Sequence, residues 1–364
     1  MDDRVVSAVL AMLAGAAVGL VLFVPFVAMS YRRRGGLSLW RLVAWGGFVV
    51  YFFAIWTYTL LPLPDPDDIR CVGAITDPGA VIRDVQAALA SGDPLRSPQL
   101  LQLVFNVLLF VPLGFFVRVL LGRGLVVTVL IGFAVSLLVE TTQLTGVWGI
   151  YPCAYRFFDV GDLLTNTTGA LVGALLSLVV PRRHRGFARS EDAGDPDPVT
   201  RARRLLAMLC DVLGAGVVSV AAGVGVQLVL EYVVRDHAAV VDGSLGAFAS
   251  TAAPIAVWLV VVLATGRSVG DLAVELRYRG GPLPEPAARV LRFAGGVGGY
   301  QLLALLPEPW SILSFAFALL AVVLVFTTAR GRGLPGILSG RQLTDAREDR
   351  RPVSAPSSRS TGSR

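Results

Sequence analysis

Long apolar runs, separated by short polar segments, fill most of this chain. A helix needs about 20 apolar residues to cross a bilayer. On that measure, spans are predicted near 5–29, 40–61, 100–121, 125–144, 162–180, 205–231 and 249–265. A weaker run near 293–306 opens with Gly295-Gly296-Val297-Gly298-Gly299 and meets Pro307-Glu308-Pro309, and a last run lies near 310–328. The pattern predicts an all-α, polytopic integral membrane helical bundle of about eight to nine transmembrane helices in two modules.

The polar segments set the module boundaries. Residues 1–181 hold five predicted spans and form the first module. Residues 182–200 carry RRHR and then SEDAGDPDPVT, charged and Pro-containing with no apolar period, and read as a linker. Residues 201–330 form the second module, and residues 331–364, rich in Ser, Pro, Gly and Arg, read as a disordered Arg-rich tail. No repeat relates the two halves, so an inverted-repeat transporter is not indicated.

Composition agrees with a membrane setting. The chain of 364 residues is 54% apolar and 16% charged, with a mean hydropathy of +0.67, whereas soluble domains carry roughly 25% charged residues. All 32 basic residues are Arg, a bias of high-GC bacterial genomes. Segments 30–41, 118–123, 181–204 and 266–292 are Arg-rich and fall on one side of the predicted topology. The positive-inside rule makes that side cytoplasmic, placing the N-terminus outside and the C-terminal tail inside a bacterial cell membrane. The net charge of +6 is accounted for by these loops and the tail, so it calls for a lipid bilayer and no nucleic acid. The start, MDDR, is acidic and the apolar run behind it is long, unlike a cleaved signal peptide. Three cysteines and two histidines form no spaced cluster, so no zinc site is expected and no metal or other cofactor is assigned; only all-oxygen ligation of a hard cation stays open.

Polar residues gather at one junction, Glu140–Gly169, where two spans meet through an aromatic loop. The predicted topology puts Asn106, Glu140, Gln143, Arg156, Asp159, Asp162 and Asn166 in one layer at the outer boundary. Their spacings of three or four residues place neighbours on common helix faces. Gly169 and Gly173 extend that face as a small-xxx-small pair that admits a close neighbour. Buried polar groups at membrane depth are costly without partners, which marks the layer as a candidate site. Structural glue is the competing explanation: Arg156 would pair with Asp159 and Glu140, and Asp162 would cap its helix. Outside this layer, Cys71 and Cys153 share the oxidising side, either as a disulfide or as two free thiols. Trp148, Tyr151 and Tyr155 suit anchoring at the interface. Ala80–Ala90 reads as an amphipathic lid or interfacial helix.

Asn106–Gly114 reads N-x-x-L-F-x-P-L-G, Glu140–Gln143 reads E-x-x-Q, and Arg156–Gly169 reads R-x-x-D-x-x-D-x-x-x-N-x-x-G. This ordered set, over roughly residues 40–180, resembles the VanZ-like membrane proteins. The family is named for a protein associated with low-level teicoplanin resistance. The resemblance implies residence in the cell envelope and an influence on glycopeptide susceptibility; it supplies no reaction.

In the second module Arg204 and Asp211 lie two turns apart on one helix face, and they read as an intramembrane ion pair. Arg267, Arg289 and Arg292 are further candidate partners for Asp211. The run R-x-x-A-x-x-x-D at Arg204–Asp211 and Thr265–Gly270 with Arg289 and Arg292 resemble the RDD family, for which transport is among the proposed roles. Two departures stand out: Asp271 occupies the place of the family Lys, and Arg279-Gly280-Gly281 replaces its D-G turn.

Three function classes follow. An accessory envelope protein would bind an extracytoplasmic ligand, whether a cell-wall precursor, a lipid head group or a glycopeptide, through the outer layer. There Arg156 would bind the anion and the carboxylates would accept from hydroxyls or amines. A transporter of ions or small molecules would run through the RDD-like module. A membrane enzyme would use Glu140, Asp159 and Asp162 to hold a divalent cation. That last class lacks an HExxH or GxSxG motif and any histidine in the region, so no catalytic residue is assigned. Oligomeric state is left open by the sequence.

Overall fold

The apolar runs become helices because a segment in lipid must satisfy its own backbone N–H and C=O groups. The computed structural model describes residues 3–65, 69–186 and 189–350. It holds α1 (Asp3–Arg34), α2 (Leu39–Leu60), α3 (Ala80–Ala90), α4 (Pro98–Leu121), α5 (Leu125–Leu144), α6 (Gly146–Gly149), α7 (Val160–Leu176) and α8 (Arg201–Leu228). These are followed by α9 (His237–Asp242), α10 (Ser244–Thr265), α11 (Val269–Ala273), α12 (Glu285–Ala294), α13 (Val297–Leu303), α14 (Ile312–Thr327) and α15 (Gly333–Ser339). Two small strand pairs complete the fold: β1 (Ala74–Ile75) with β2 (Phe158–Asp159), and β3 (Leu276–Arg279) with β4 (Gln342–Asp345).

The protein is an all-α polytopic membrane bundle, with seven helices among the described residues long and apolar enough to cross a membrane. The expected span at 293–306 is not one of them. The chain breaks at Gly295-Gly296 between α12 and α13, and α13 has only seven residues. Helix α14 is apolar but has 16 residues, fewer than the usual span.

The chain divides into two compact units. Unit 1 comprises Met1–Gly19 and Ser38–Ala188, and unit 2 comprises Leu20–Leu37 and Arg189–Arg364. The second half of α1 thus packs with unit 2, apart from the rest of the segment expected as the first module. Its Val27 and Tyr31 share a buried cluster with Ala207, Cys210, Val274 and Leu343.

In unit 1, α7 lies against α4 and α5. Gly169 and Gly173 of α7 face the carbonyl oxygens of Val107 and Val111 on α4, where an added Cβ would collide. Gly114 of α4 makes the reverse contact with the Ala170 carbonyl. Close backbone approach of this kind is how small residues drive helix association in lipid. The apolar core beside it contains Ile55, Phe110, Leu113, Val117 and Val139.

In unit 2, the expectation of a tail disordered from residue 331 does not hold through residue 350. Helix α15 forms there, and β4 pairs antiparallel with β3, Leu276 opposite Asp345. The reason is polar. Asp345 accepts from Arg203 at 2.8 Å and from Arg347 at 2.7 Å, and all three side chains are buried. These contacts put the tail and the segment after α10 at the same end of unit 2. The remainder of the expected tail, 351–364, lies outside the described residues.

Candidate ligand-binding layer

Three helices carry the first polar constellation to one end of unit 1. Asn106 sits in the third turn of α4, Glu140 and Gln143 in the last turns of α5, and Asp159 starts α7 as its N-cap. Asp159 accepts the Gly161 backbone N–H at 2.7 Å, which satisfies one of the open donors at the helix start. The Asp159 backbone N–H in turn donates to Glu140 Oε2 at 3.0 Å. Glu140 is only 2% exposed, so this contact is made away from solvent.

Asn106 Nδ2 donates to Asp162 Oδ1 at 2.6 Å, linking α4 to α7. Gln102, one turn earlier on α4, also donates to Asp162; sequence reasoning missed it, although its four-residue spacing from Asn106 was a readable signal. Deeper, Asn166 Nδ2 donates to Ser136 Oγ at 3.0 Å. The buried Asn166 Oδ1 has no hydrogen-bond partner.

Gln143 and Arg156 turn away from this group. Gln143 Nε2 donates to the Thr59 carbonyl at 2.7 Å, and Arg156 Nη2 to the Leu61 carbonyl at 3.1 Å. The Tyr155 hydroxyl donates to the Leu60 carbonyl at 3.2 Å and the Tyr151 hydroxyl to Pro64 at 3.2 Å. All four acceptors lie at or beyond the end of α2, where the last helical carbonyls lack intrahelical donors. Burial raises the Tyr155 phenol above its ordinary range, with Arg156 opposing, so it remains a donor at neutral pH. The expected pairing of Arg156 with Glu140 and Asp159 is therefore replaced by a cap on α2. In unit 1 the ion pairs among the described residues are Arg83–Asp77 and Arg96–Asp93, and none reaches Glu140, Asp159 or Asp162.

The segments that follow α2 and α5 close over the layer. Cys71 and Cys153 form a disulfide with Cα atoms 5.6 Å apart. Next to it Val72 donates to the Ala154 carbonyl, and β1 runs parallel to β2 with Ile75 opposite Asp159. Val81 of α3 rests against Gly161 in the first turn of α7. Among the described residues, no group of three His, Cys, Asp or Glu side chains could hold a metal ion. Glu140, Asp159 and Asp162, though near one another, do not form such a group.

Residues 48–181 match the VanZ/LLP1 family model. No curated protein and no solved structure matches the chain. The VanZ/LLP1 segment contains the whole polar layer, the disulfide and helices α3–α7. The match includes no residue of unit 2, so the RDD resemblance of residues 200–330 rests on its motifs alone.

The second constellation is arranged differently from its expectation. Arg204 Nη1 pairs with Asp271 Oδ1 at 2.7 Å, and Arg292 Nη2 meets Asp271 Oδ2 at 3.4 Å. Asp211 is held by Trp258 Nε1 at 2.8 Å, the Gly270 N–H at 2.7 Å and the Ser268 hydroxyl at 2.7 Å. Arg204 and Asp211 are not an ion pair, because seven residues of helix separate them by about 10 Å along the axis. Asp271, visible in the sequence only as a departure from the RDD pattern, is the residue that both guanidinium groups share.

Proposed function

We propose that the VanZ/LLP1 segment is a membrane-embedded binding module for a polar, extracytoplasmic ligand bearing hydroxyl or amine donors. A cell-wall precursor, a lipid head group or a glycopeptide of the teicoplanin type has this chemistry. One observation carries the reading: Glu140, Asp159 and Asp162 collect at the head of α7, and among the described residues no basic side chain is paired to any of them. Acids at membrane depth are expensive unless something donates to them. Here the donors are neutral amides and backbone N–H groups, and a ligand would complete the set. The unpartnered Asn166 Oδ1 supports the same reading. Arg156 keeps the role of an anion-binding group at the rim, its spare N–H groups turned to the ligand while Nη2 caps α2. In this orientation the layer lies outside and the Arg-rich segments inside the cell.

The test replaces Asp162 with Asn and Arg156 with Ala, one at a time, and measures membrane abundance beside teicoplanin susceptibility. Normal abundance with altered susceptibility supports a binding module. Unchanged susceptibility in both variants at normal abundance defeats it. Transport through unit 2 has less support, because Asp211 already accepts from three donors and Asp271 from two guanidinium groups.

A further inference from the structure

Unit 2 contains a cavity of about 460 Å³, within the range of about 300–1,000 Å³ typical of small-ligand sites. Its sides are apolar, formed by Met208 and Val212 of α8, Phe293 of α12, and Phe317, Ala321 and Val325 of α14. It lies where the weak segment breaks, with Gly295, Gly296 and Gly298 on its wall. Interrupted helices at membrane depth are tolerated where they are buried in protein or line a cavity.

One end of the cavity is charged. Arg204, Asp271 and Arg292 all line it, and each is at least nine-tenths buried. Two guanidinium groups here divide the two oxygens of a single carboxylate. The other nearby acid, Asp211, has its oxygens occupied by Ser268, Trp258 and Gly270. Both guanidinium groups also face the Tyr278 ring, Arg204 at 5.8 Å and Arg292 at 4.3 Å from its centre. The Nε of Arg204 and the Nε of Arg292 have no hydrogen-bond partner. Buried guanidinium donors that lack acceptors favour an additional anionic oxygen.

The charged end adjoins the first turn of α8, and the apolar walls run from there along Met208 and Val212 into the span. A polar end at a helix start and an apolar sleeve along the helix match a molecule with a head and a tail. We propose that this cavity binds an amphiphile, its anionic carboxylate or phosphate held by Arg204 and Arg292 and one alkyl chain laid between α8 and α14. A free fatty acid and an anionic phospholipid both present this chemistry.

The full chain in phosphatidylcholine nanodiscs would be titrated with radiolabelled palmitate and, in parallel, with hexadecanol, using empty discs as background. Saturable palmitate binding, with hexadecanol about tenfold weaker, is expected from the loss of one charge-assisted contact. Ala321→Phe fills the apolar sleeve without touching an ion pair and should weaken palmitate by about tenfold or more. Arg292→Met should bring palmitate down to the hexadecanol level. Competition by lysophosphatidylglycerol assigns the source: stronger displacement than by unlabelled palmitate identifies phospholipid, weaker displacement a free fatty acid, and either order supports the site. No saturable binding to the wild type, equal binding of palmitate and hexadecanol, or full affinity in Ala321→Phe overturns it. Should Arg292→Met fail to accumulate, the wild-type comparison and Ala321→Phe still decide.

Discussion

In unit 1 the acids Glu140, Asp159 and Asp162 gather without a cation, while in unit 2 the acids Asp271 and Asp345 each serve two arginines. Both arrangements place charge where water is scarce, yet they have opposite consequences. A buried carboxylate between two guanidinium groups is fixed by its partners, and removing it strands two charges. A carboxylate held by one or two neutral donors is less constrained and retains capacity to accept more. The difference teaches where to look for binding in a lipid-embedded chain: at groups whose hydrogen bonding is incomplete, which in unit 1 are the acids themselves and in unit 2 the Nε atoms of Arg204 and Arg292 rather than the carboxylate between them.

The sharpest way to break this comparison is Asp271→Asn. It leaves Arg204 and Arg292 without their shared anion and should cost about 3–5 kcal/mol. The expected result is loss of the protein from membranes, or a large fall in the thermal midpoint in detergent. Asp345→Ala is next, at about 2–3 kcal/mol for its charged hydrogen bonds, because Arg203 keeps the carbonyls of Val274 and Glu275 as acceptors. Limited proteolysis should then cut near β4 while α8 and α10 stay protected.

Asp345 also makes a pH prediction. Burial pushes its carboxyl up, but hydrogen bonds from Arg347, Arg203 and two backbone N–H groups outweigh that and hold it well below the usual carboxylate range. A depressed folded-state value gives stability that is complete above the unfolded value of about 3.9. It is lost as the pH falls from there through the folded value. Proteolysis of β4 in the wild type should therefore stay slow at neutral pH and rise only below about pH 4.

Unit 1 should respond more to packing than to charge. Gly173→Leu drives a side chain into the Val111 carbonyl and should cost about 1–3 kcal/mol by overpacking, read as reduced membrane abundance. Arg156→Ala should have the smallest effect on stability, about 1 kcal/mol for one hydrogen bond to a carbonyl. A loss as large as that of Asp271→Asn would erase the contrast between the units.

Much of this architecture was legible from apolar run length. Seven long spans need little beyond about 20 apolar residues each, and the Gly295–Gly299 run flagged the segment that fails to span. The polar layer was legible too, because spacings of three and four residues identify neighbours on one helix. Partners were not. Asp271 lies 67 residues from Arg204, and no local period connects them. Arg156 offered nearby acids as partners, but the open carbonyls at the end of α2 hold it instead, and backbone acceptors leave no trace in side-chain patterns. The folding of the tail was hidden for a related reason. Its stability comes from Asp345, Arg347 and Arg203, charged residues that composition alone assigns to solvent.

The division of α1 bears on how such a gene can be rearranged. A fragment cut at residues 182–200 would carry the second half away without Val27 and Tyr31, leaving a gap beside Ala207, Cys210 and Leu343. Swapping or separating the halves at that seam should give an insoluble product unless residues 20–37 travel with the C-terminal piece. The two halves are thus bound into one reading frame by a helix they both use, and the visible linker is the wrong place to cut.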